Sequence, residues 1–202
     1  RFISAFAGRA RSAPMKISVV VPTRNRGADL LMLLSSLHEQ TRRPDEVVIV
    51  DASDPPLIET GYAKEISACP LNINYIHTLP GATRQRNLGA QRSSGDLLFF
   101  FDDDVIPDRD FIKVLAETFA RHPEYHGGMG TVRATLRRWS PGSILCALFL
   151  LQHEHGDGDF SWSGMPRHPY GTRSFRDTEV MGGGLMAIRR TVFTEDRVEF
   201  DE

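Results

Sequence analysis

The sequence predicts an α/β fold, one domain built on a Rossmann-like, mostly parallel sheet with crossover helices. Three observations carry this. Short apolar runs rich in β-branched or aromatic residues recur along the first two-thirds of the chain, as strands buried on both faces require. Segments between them carry apolar residues at helical spacing. The two signals alternate, which is the pattern of parallel strands joined by crossovers.

The elements follow in order. Ile17–Val21 is a β-branched run ended by Pro22, the first strand. Asp29–Glu39 sets Leu30, Leu33, Leu34 and Leu37 on one helical face. Glu46–Val50 is the second strand, ending at Asp51, and Pro56–Ala68 is a weaker helix. Ile73–His77 is a short third strand. Thr83–Arg92 is helical between Gly81 and Ser93-Ser94-Gly95, and Leu97–Phe101 is the fourth strand. Asp108 is the expected cap of a helix from Arg109 to Arg121, stopped by Pro123. Later signals are looser: a strand over Gly127–Val132, a helix over Ser143–Gln152, an irregular stretch over Gln152–Ser174, and a late strand at Leu185–Ile188.

Composition narrows the function classes. The chain has 202 residues, with 41% hydrophobic and 25% charged residues, a soluble globular balance large enough for a real core. The formal net charge of -2 argues against a nucleic-acid partner held by bulk electrostatics. Lys16, Lys64 and Lys113 are the only lysines, so the basic side is nearly all arginine, which suits forked phosphate recognition. Cys69 and Cys146 lack metal-type spacing, and a reduced, cytoplasmic protein is the expectation. No apolar run reaches the roughly 18 residues that span a bilayer. Residues 1–14 read as a tail or upstream extension before Met15-Lys16.

The chemistry concentrates at Asp102-Asp103-Asp104, three carboxylates at the exit of an apolar strand. Adjacent negative charges repel, and a bound divalent cation with a taste for hard oxygen ligands removes that cost. Four segments are expected to converge at the C-terminal edge of the sheet: Pro22–Asn25, Asp51–Ser53, Gly81–Asn87 and Asp102–Asp104. Together they offer backbone N–H groups, Arg24, Arg84 and Arg86, and a carboxylate cluster. Such a set suits a nucleotide diphosphate bridged by metal. Neither GxxxxGK[ST] nor GxGxxG occurs, which weakens kinase and dinucleotide readings.

The run Val19-Val20-Val21-Pro22-Thr23-Arg24-Asn25-Arg26 resembles the opening of family 2 glycosyltransferases. So do Gln40-Thr41 with Pro44–Asp51, Arg86-Asn87-Leu88-Gly89, Gly95-Asp96 through Asp104, and Gly182-Gly183-Gly184 through Arg189-Arg190. The resemblance runs from Met15 to the end of the chain and is specific through the order and spacing of its pieces. It implies a GT-A fold and metal-dependent transfer of a sugar, with inversion, from a UDP- or other NDP-sugar donor. The acceptor it implies is a glycan or lipid-linked hydroxyl of the cell envelope. Residues 15–125 would bind the nucleotide sugar and 126–202 would form an acceptor-side half, incomplete at its C-terminus.

Residue by residue, Pro22, Thr23 and Arg24 match positions that frame the nucleotide, and Asp51 the acidic position that contacts base or ribose. Arg86 matches the arginine near the nucleotide. The acidic triplet matches the DxD-type motif. Asp104 is the expected direct ligand of Mn2+ or Mg2+, while Asp102 or Asp103 faces ribose or donor sugar and Asp102 is a second candidate metal ligand. Gly183, Gly184 and Trp162 are acceptor-side candidates. Ala52 stands where many members have a second acid, so the base preference stays open. Phe200-Asp201-Glu202 resembles the stretch just before the family's Glu-Asp base motif, which places the general base beyond Glu202 and makes the chain a fragment or truncated product.

Several features have blander readings. His153, Glu154 and His155 with Asp157 and Asp159 are better read as an acceptor-side loop than as a metal site. Trp162, Tyr170 and Phe175 could stack on a sugar or anchor the loop. Ile144–Leu151 could dock peripherally on the inner face of a membrane, but without a basic face it reads better as core. Glu195-Asp196 reads as a solvated turn. The rival functions are a nucleotide-sugar-binding module without catalysis, a nucleotidyltransferase, which lacks its glycine-rich loop here, and a haloacid-dehalogenase-type phosphohydrolase. The last wants its acidic motif on the first strand rather than the fourth.

Overall fold

The structure, a computed structural model, describes residues 15–130, 178–179 and 181–201. The order is β1 (Ile17–Thr23), α1 (Gly27–His38), β2 (Glu46–Asp51), a 3-10 turn (Leu57–Glu59), α2 (Ala63–Ala68), β3 (Ile73–His77), α3 (Ala82–Arg92) and β4 (Leu97–Phe101). Then come α4 (Phe111–Arg121), β5 (Gly127–Met129), β6 (Leu185–Arg189) and α5 (Arg190–Thr194). The strands form one sheet in the order β3-β2-β1-β4-β6-β5. β1 lies parallel to β2 and β4, and β2 parallel to β3. β6 runs antiparallel to both β4 and β5.

The alternation of side chains across the sheet builds two cores. Val19, Val21, Val47, Ile49, Phe99 and Phe101 face α1 and α4, whose Leu30, Leu33, Leu34, Leu37, Ile112 and Phe119 cover them. Val20, Val48, Val50, Leu98 and Phe100 face the other way, against Ala90 of α3 and the partly buried Phe193 and Phe200. α3 lies close to the sheet because Gly89 has no side chain: a Cβ there would sit 2.2 Å from Val20 Cγ1. Arg189 of β6 ties the sheet to the end of α4. Its Nε donates to Tyr125 O (2.6 Å) and its Nη2 to Phe119 O (2.8 Å).

Four local expectations change. Pro22 does not end the first strand, which continues to Thr23; β4 pairs only with Ile17–Val20, so Pro22 forfeits no bond on that side. The helix expected over Pro56–Ala68 splits into the 3-10 turn and α2, with Thr60 extended between them. Asp108 does not cap the next helix. Phe111 N donates to Asp108 O (2.9 Å), and α4 begins two residues later than expected. Its start is held by the buried Gln40, whose Nε2 donates to Asp108 O (2.9 Å) and whose Oε1 accepts from Ile112 N (3.2 Å). β5 covers Gly127–Met129 of the expected Gly127–Val132. The readings at Ser143–Gln152, Gln152–Ser174 and Trp162 lie outside the described residues.

At the opposite, N-terminal end of the strands, Glu46 organises a polar knot. Its Oε1 accepts from Ser18 Oγ (2.5 Å), Ser94 N (2.6 Å) and Ser94 Oγ (2.8 Å). Burial pushes this carboxyl up, but the Ser18 and Ser94 bonds and the Lys16 charge outweigh it and hold it below its ordinary value. A depressed folded-state value stabilises the fold above the unfolded value, about 4.3, and that contribution disappears as pH falls through the lower folded value. Urea denaturation of wild type and Glu46→Gln is therefore expected to show a stability gap at pH 7 that narrows below about pH 4.3. A gap independent of pH would remove the charge from the account.

Candidate active site

The sheet order fixes where a site can form. From β1 the chain proceeds outward through β2 and β3, then returns to place β4 on the other side of β1. The crevice at the C-terminal ends of β1 and β4 is thus the topological switch point, where open α/β sheets bind ligands. A cleft of about 520 Å³ lies there, lined by Pro22, Thr23, Arg24 and Arg26 from the end of β1, Ala82, Gln85 and Arg86 from α3, and Asp102, Asp103 and Asp104 after β4.

Each wall is fixed by specific bonds. Gln85, buried on the sheet side of α3, donates from Nε2 to Thr23 O (2.9 Å) and Val50 O (2.7 Å), which braces the ends of β1 and β2. The next residue, Arg86, points into the cleft, and its Nη2 donates to Asp102 Oδ1 at 2.6 Å. Its Nε is buried and, among the described residues, has no hydrogen-bond partner. Asn87 turns the other way and pairs with both backbone groups of Phe200: Nδ2 donates to its carbonyl (2.9 Å) and Oδ1 accepts from its N–H (2.8 Å).

The triplet is divided by environment. Asp102 is half-exposed, Asp103 is buried and Asp104 is open to solvent. Asp103 Oδ2 accepts from Thr23 Oγ1 (2.8 Å), and its Oδ1 lies 3.2 Å from Arg26 Nη1. Burial pushes the Asp103 carboxyl up; the Thr23 hydroxyl and Arg26 pull against it. The same Arg26 nitrogen reaches Asp104 Oδ2 at 2.8 Å, and the two carboxylates hold the guanidinium above its ordinary value.

The segment entering β6 closes the far side. Asp102 N donates to Gly184 O (3.1 Å). A Cβ on Gly184 would lie 2.8 Å from Asp102 Oδ2, and one on Gly183 3.6 Å from Arg86 Nη2. The two glycines therefore abut the Arg86–Asp102 pair.

Pro22, Thr23, Arg24, Arg86 and all three aspartates thus come together, with Gly183 and Gly184 beside them. Asp51 does not join them. Its fully buried carboxylate accepts from Ser53 N (2.8 Å), Leu57 N (2.8 Å), the Ser53 hydroxyl and the Tyr75 hydroxyl. Burial, then the Asp51 bond, pushes the Tyr75 hydroxyl up, so it stays a donor. Asp51 does not line the cleft; its carboxylate is engaged in shaping the β2–α2 loop, where the expected reading had it contacting base or ribose. Glu195 and Asp196 lie exposed in the turn after α5.

Sequence reasoning did not single out Gln85 and Arg26. Gln85 had a signal, since it precedes Gly89 by four residues and so shares the face of α3 that meets the sheet. Arg26 had none: it lies 77 residues from Asp103, and only the adjacency of β1 and β4 brings them together.

Among the described residues no group of three His, Cys, Asp or Glu side chains converges as a ready metal cage. The donor set still fits Mg2+ or Mn2+, because such ions are commonly held by one or two carboxylates plus substrate phosphates. Asp104 and Asp102 are the carboxylates with solvent-facing oxygens, and either could hold a metal that arrives with a diphosphate. Among the described residues no helix is long and apolar enough to cross a membrane.

Comparison with known proteins gives a consistent family. The family model described as glycosyl transferase family 2 matches residues 18–196. A 4,4'-diaponeurosporenoate glycosyltransferase from Staphylococcus haemolyticus is 29% identical over 157 residues, 76% of this chain and 41% of that one. The crystal structure of S. aureus TarS 1-349 in complex with UDP superposes with a TM-score of 0.63 at 20% identity, covering 93% of this chain and 50% of that chain. The mannosyltransferase PcManGT from Pyrobaculum calidifontis, in complex with GDP-Man and Mn2+, gives 0.62 at 18% identity, covering 91% and 47%. The chain spans less than half the length of the curated relatives it matches. With a mostly parallel six-stranded sheet of the GT-A type and a family match over most of its length, the chain belongs to glycosyl transferase family 2.

Proposed function

We propose that the cleft binds a nucleoside-diphosphate sugar together with Mn2+ or Mg2+, and that the protein transfers the sugar to an acceptor hydroxyl with inversion. One observation carries the reading: at the switch point, the half-buried Arg86 and the acidic triplet line one cleft of about 520 Å³. Arginine donors suit the diphosphate, and exposed carboxylates suit a divalent ion that travels with it. The UDP complex of TarS and the GDP-Man and Mn2+ complex of PcManGT lend support from the same fold.

A bound metal would offset the charge that builds on the diphosphate as the glycosidic bond breaks. The remaining work falls to the chain. Arg86, oriented by Asp102, binds the diphosphate, and Arg24 stands at the rim beside it. Thr23 fixes Asp103, so that Asp104 is presented outward. We assign none of these groups the role of general base. The acceptor we favour is a glycan or a lipid-linked hydroxyl of the cell envelope; a lipid-linked acceptor would draw the protein to a membrane surface.

Binding without catalysis is the second reading. It is favoured by the fact that all three cleft carboxylates are already engaged by Arg26, Arg86 or Thr23. Calorimetry on Asp104→Ala tests the metal assignment. Nucleotide affinity in Mn2+ is expected to fall to the metal-free level of wild type, about tenfold or more. Unchanged Mn2+ dependence would refute Asp104 as a ligand.

A further inference from the structure

Arg26 occupies the place of a cation against the acidic triplet. A single guanidinium nitrogen bridges Asp104 Oδ2 (2.8 Å) and Asp103 Oδ1 (3.2 Å). Its partners differ in commitment. Asp103 is almost buried, with 7% of its side chain exposed, and its other oxygen is held by Thr23. Arg26 and Asp104 have side chains 52% and 55% exposed, so water screens that contact and makes it exchangeable. A divalent ion on Asp104 and the guanidinium on the same oxygen would repel each other strongly at such separations.

We propose that Arg26 is the resident counter-cation of the triplet, which a divalent ion must displace from Asp104, so that metal enters with a nucleoside diphosphate rather than alone. The inference rests on the nucleotide-binding reading above. Arg26 lines the same cleft as Arg86, so a guanidinium released from Asp104 faces the incoming diphosphate. Metal and nucleotide then become coupled ligands, each raising the affinity of the other by the same factor. The backbone of Arg26 also begins α1, and its carbonyl accepts from Leu30 N (3.0 Å), so the side chain can swing without disturbing the helix start.

The test is Mn2+ binding to the whole chain, followed by electron paramagnetic resonance of the free ion, with and without UDP or GDP. Arg26→Gln keeps polarity but shortens the side chain and removes the charge. Mn2+ alone is expected to bind this variant about fivefold to tenfold more tightly than wild type, with the metal–nucleotide coupling reduced. Arg26→Lys, which keeps the charge, is expected to stay within about twofold of wild type. Equal Mn2+ affinity in wild type and the Gln variant, while both still bind a nucleoside diphosphate, would overturn the inference alone. Absence of nucleotide binding in both proteins, with or without Mn2+, would overturn the nucleotide reading and the inference with it.

Discussion

Asp51→Ala is expected to lower the unfolding free energy by about 3–5 kcal/mol, through loss of buried hydrogen bonds rather than loss of a ligand contact. The carboxylate is fully buried and takes four donors: Ser53 N, the Ser53 hydroxyl, Leu57 N and the Tyr75 hydroxyl. Each is left without an acceptor in the variant, in a place that water does not reach freely, and a buried orphaned donor costs about 1–3 kcal/mol. The loop that these bonds shape also carries Ser53, whose hydroxyl accepts from Asn25 N at 2.7 Å. Through Asn25 the damage reaches the β1–α1 turn at the cleft. Urea denaturation measures the effect. Wild-type stability combined with a loss of nucleotide affinity would instead place Asp51 at the ligand.

Gly184→Ala is expected to act in the opposite way, weakening nucleotide affinity about tenfold or more while leaving stability nearly unchanged. The new Cβ would lie 2.8 Å from Asp102 Oδ2, too close to persist, and the atom that can give way is the end of a partly exposed side chain. Asp102 moves, and its 2.6 Å pairing with Arg86 is lost, so the guanidinium is no longer oriented for the diphosphate. Gly183→Ala supplies the control. Its Cβ would make an ordinary 3.6 Å contact with Arg86 Nη2, so affinity is expected to stay within about threefold. Equal effects at the two glycines, measured by calorimetry and thermal denaturation together, would remove the Asp102–Arg86 pairing from the account.

These two sites show what the sequence could and could not convey. The strands were legible because burial on both faces leaves a continuous apolar run, as in Leu97-Leu98-Phe99-Phe100-Phe101. Helix α1 was legible because Leu30, Leu33, Leu34 and Leu37 keep one face. Gathering the triplet, Arg86, Thr23 and Arg24 at one sheet edge needed only the strand order that alternation implies. What escaped depends on direction and distance. A carboxylate at a strand end looks the same whether it lines a cleft, as Asp102 does, or faces its own loop, as Asp51 does. The start of α4 was misjudged because its partner, Gln40, is 72 residues away from Ile112 and acts from the α1–β2 loop. Arg26 was invisible as a partner of the triplet for the same reason.

Local chemistry also divides consecutive residues between tasks in a way that motif matching compresses. In Arg86-Asn87, the arginine serves the cleft and the asparagine grips the backbone of Phe200. In Gln85-Arg86, the glutamine braces the sheet and the arginine lines the cleft. Three neighbours on α3 thus connect the strand ends, the proposed donor site and the segment around Phe200.

The central claim is that the switch-point cleft is a metal-assisted nucleoside-diphosphate site. Calorimetric titration of the wild-type protein with UDP and with GDP, each in the presence and absence of Mn2+, tests it most directly. The account predicts saturable binding of at least one of the two, tightened about tenfold or more by Mn2+. No binding of either nucleotide under any metal condition would contradict it.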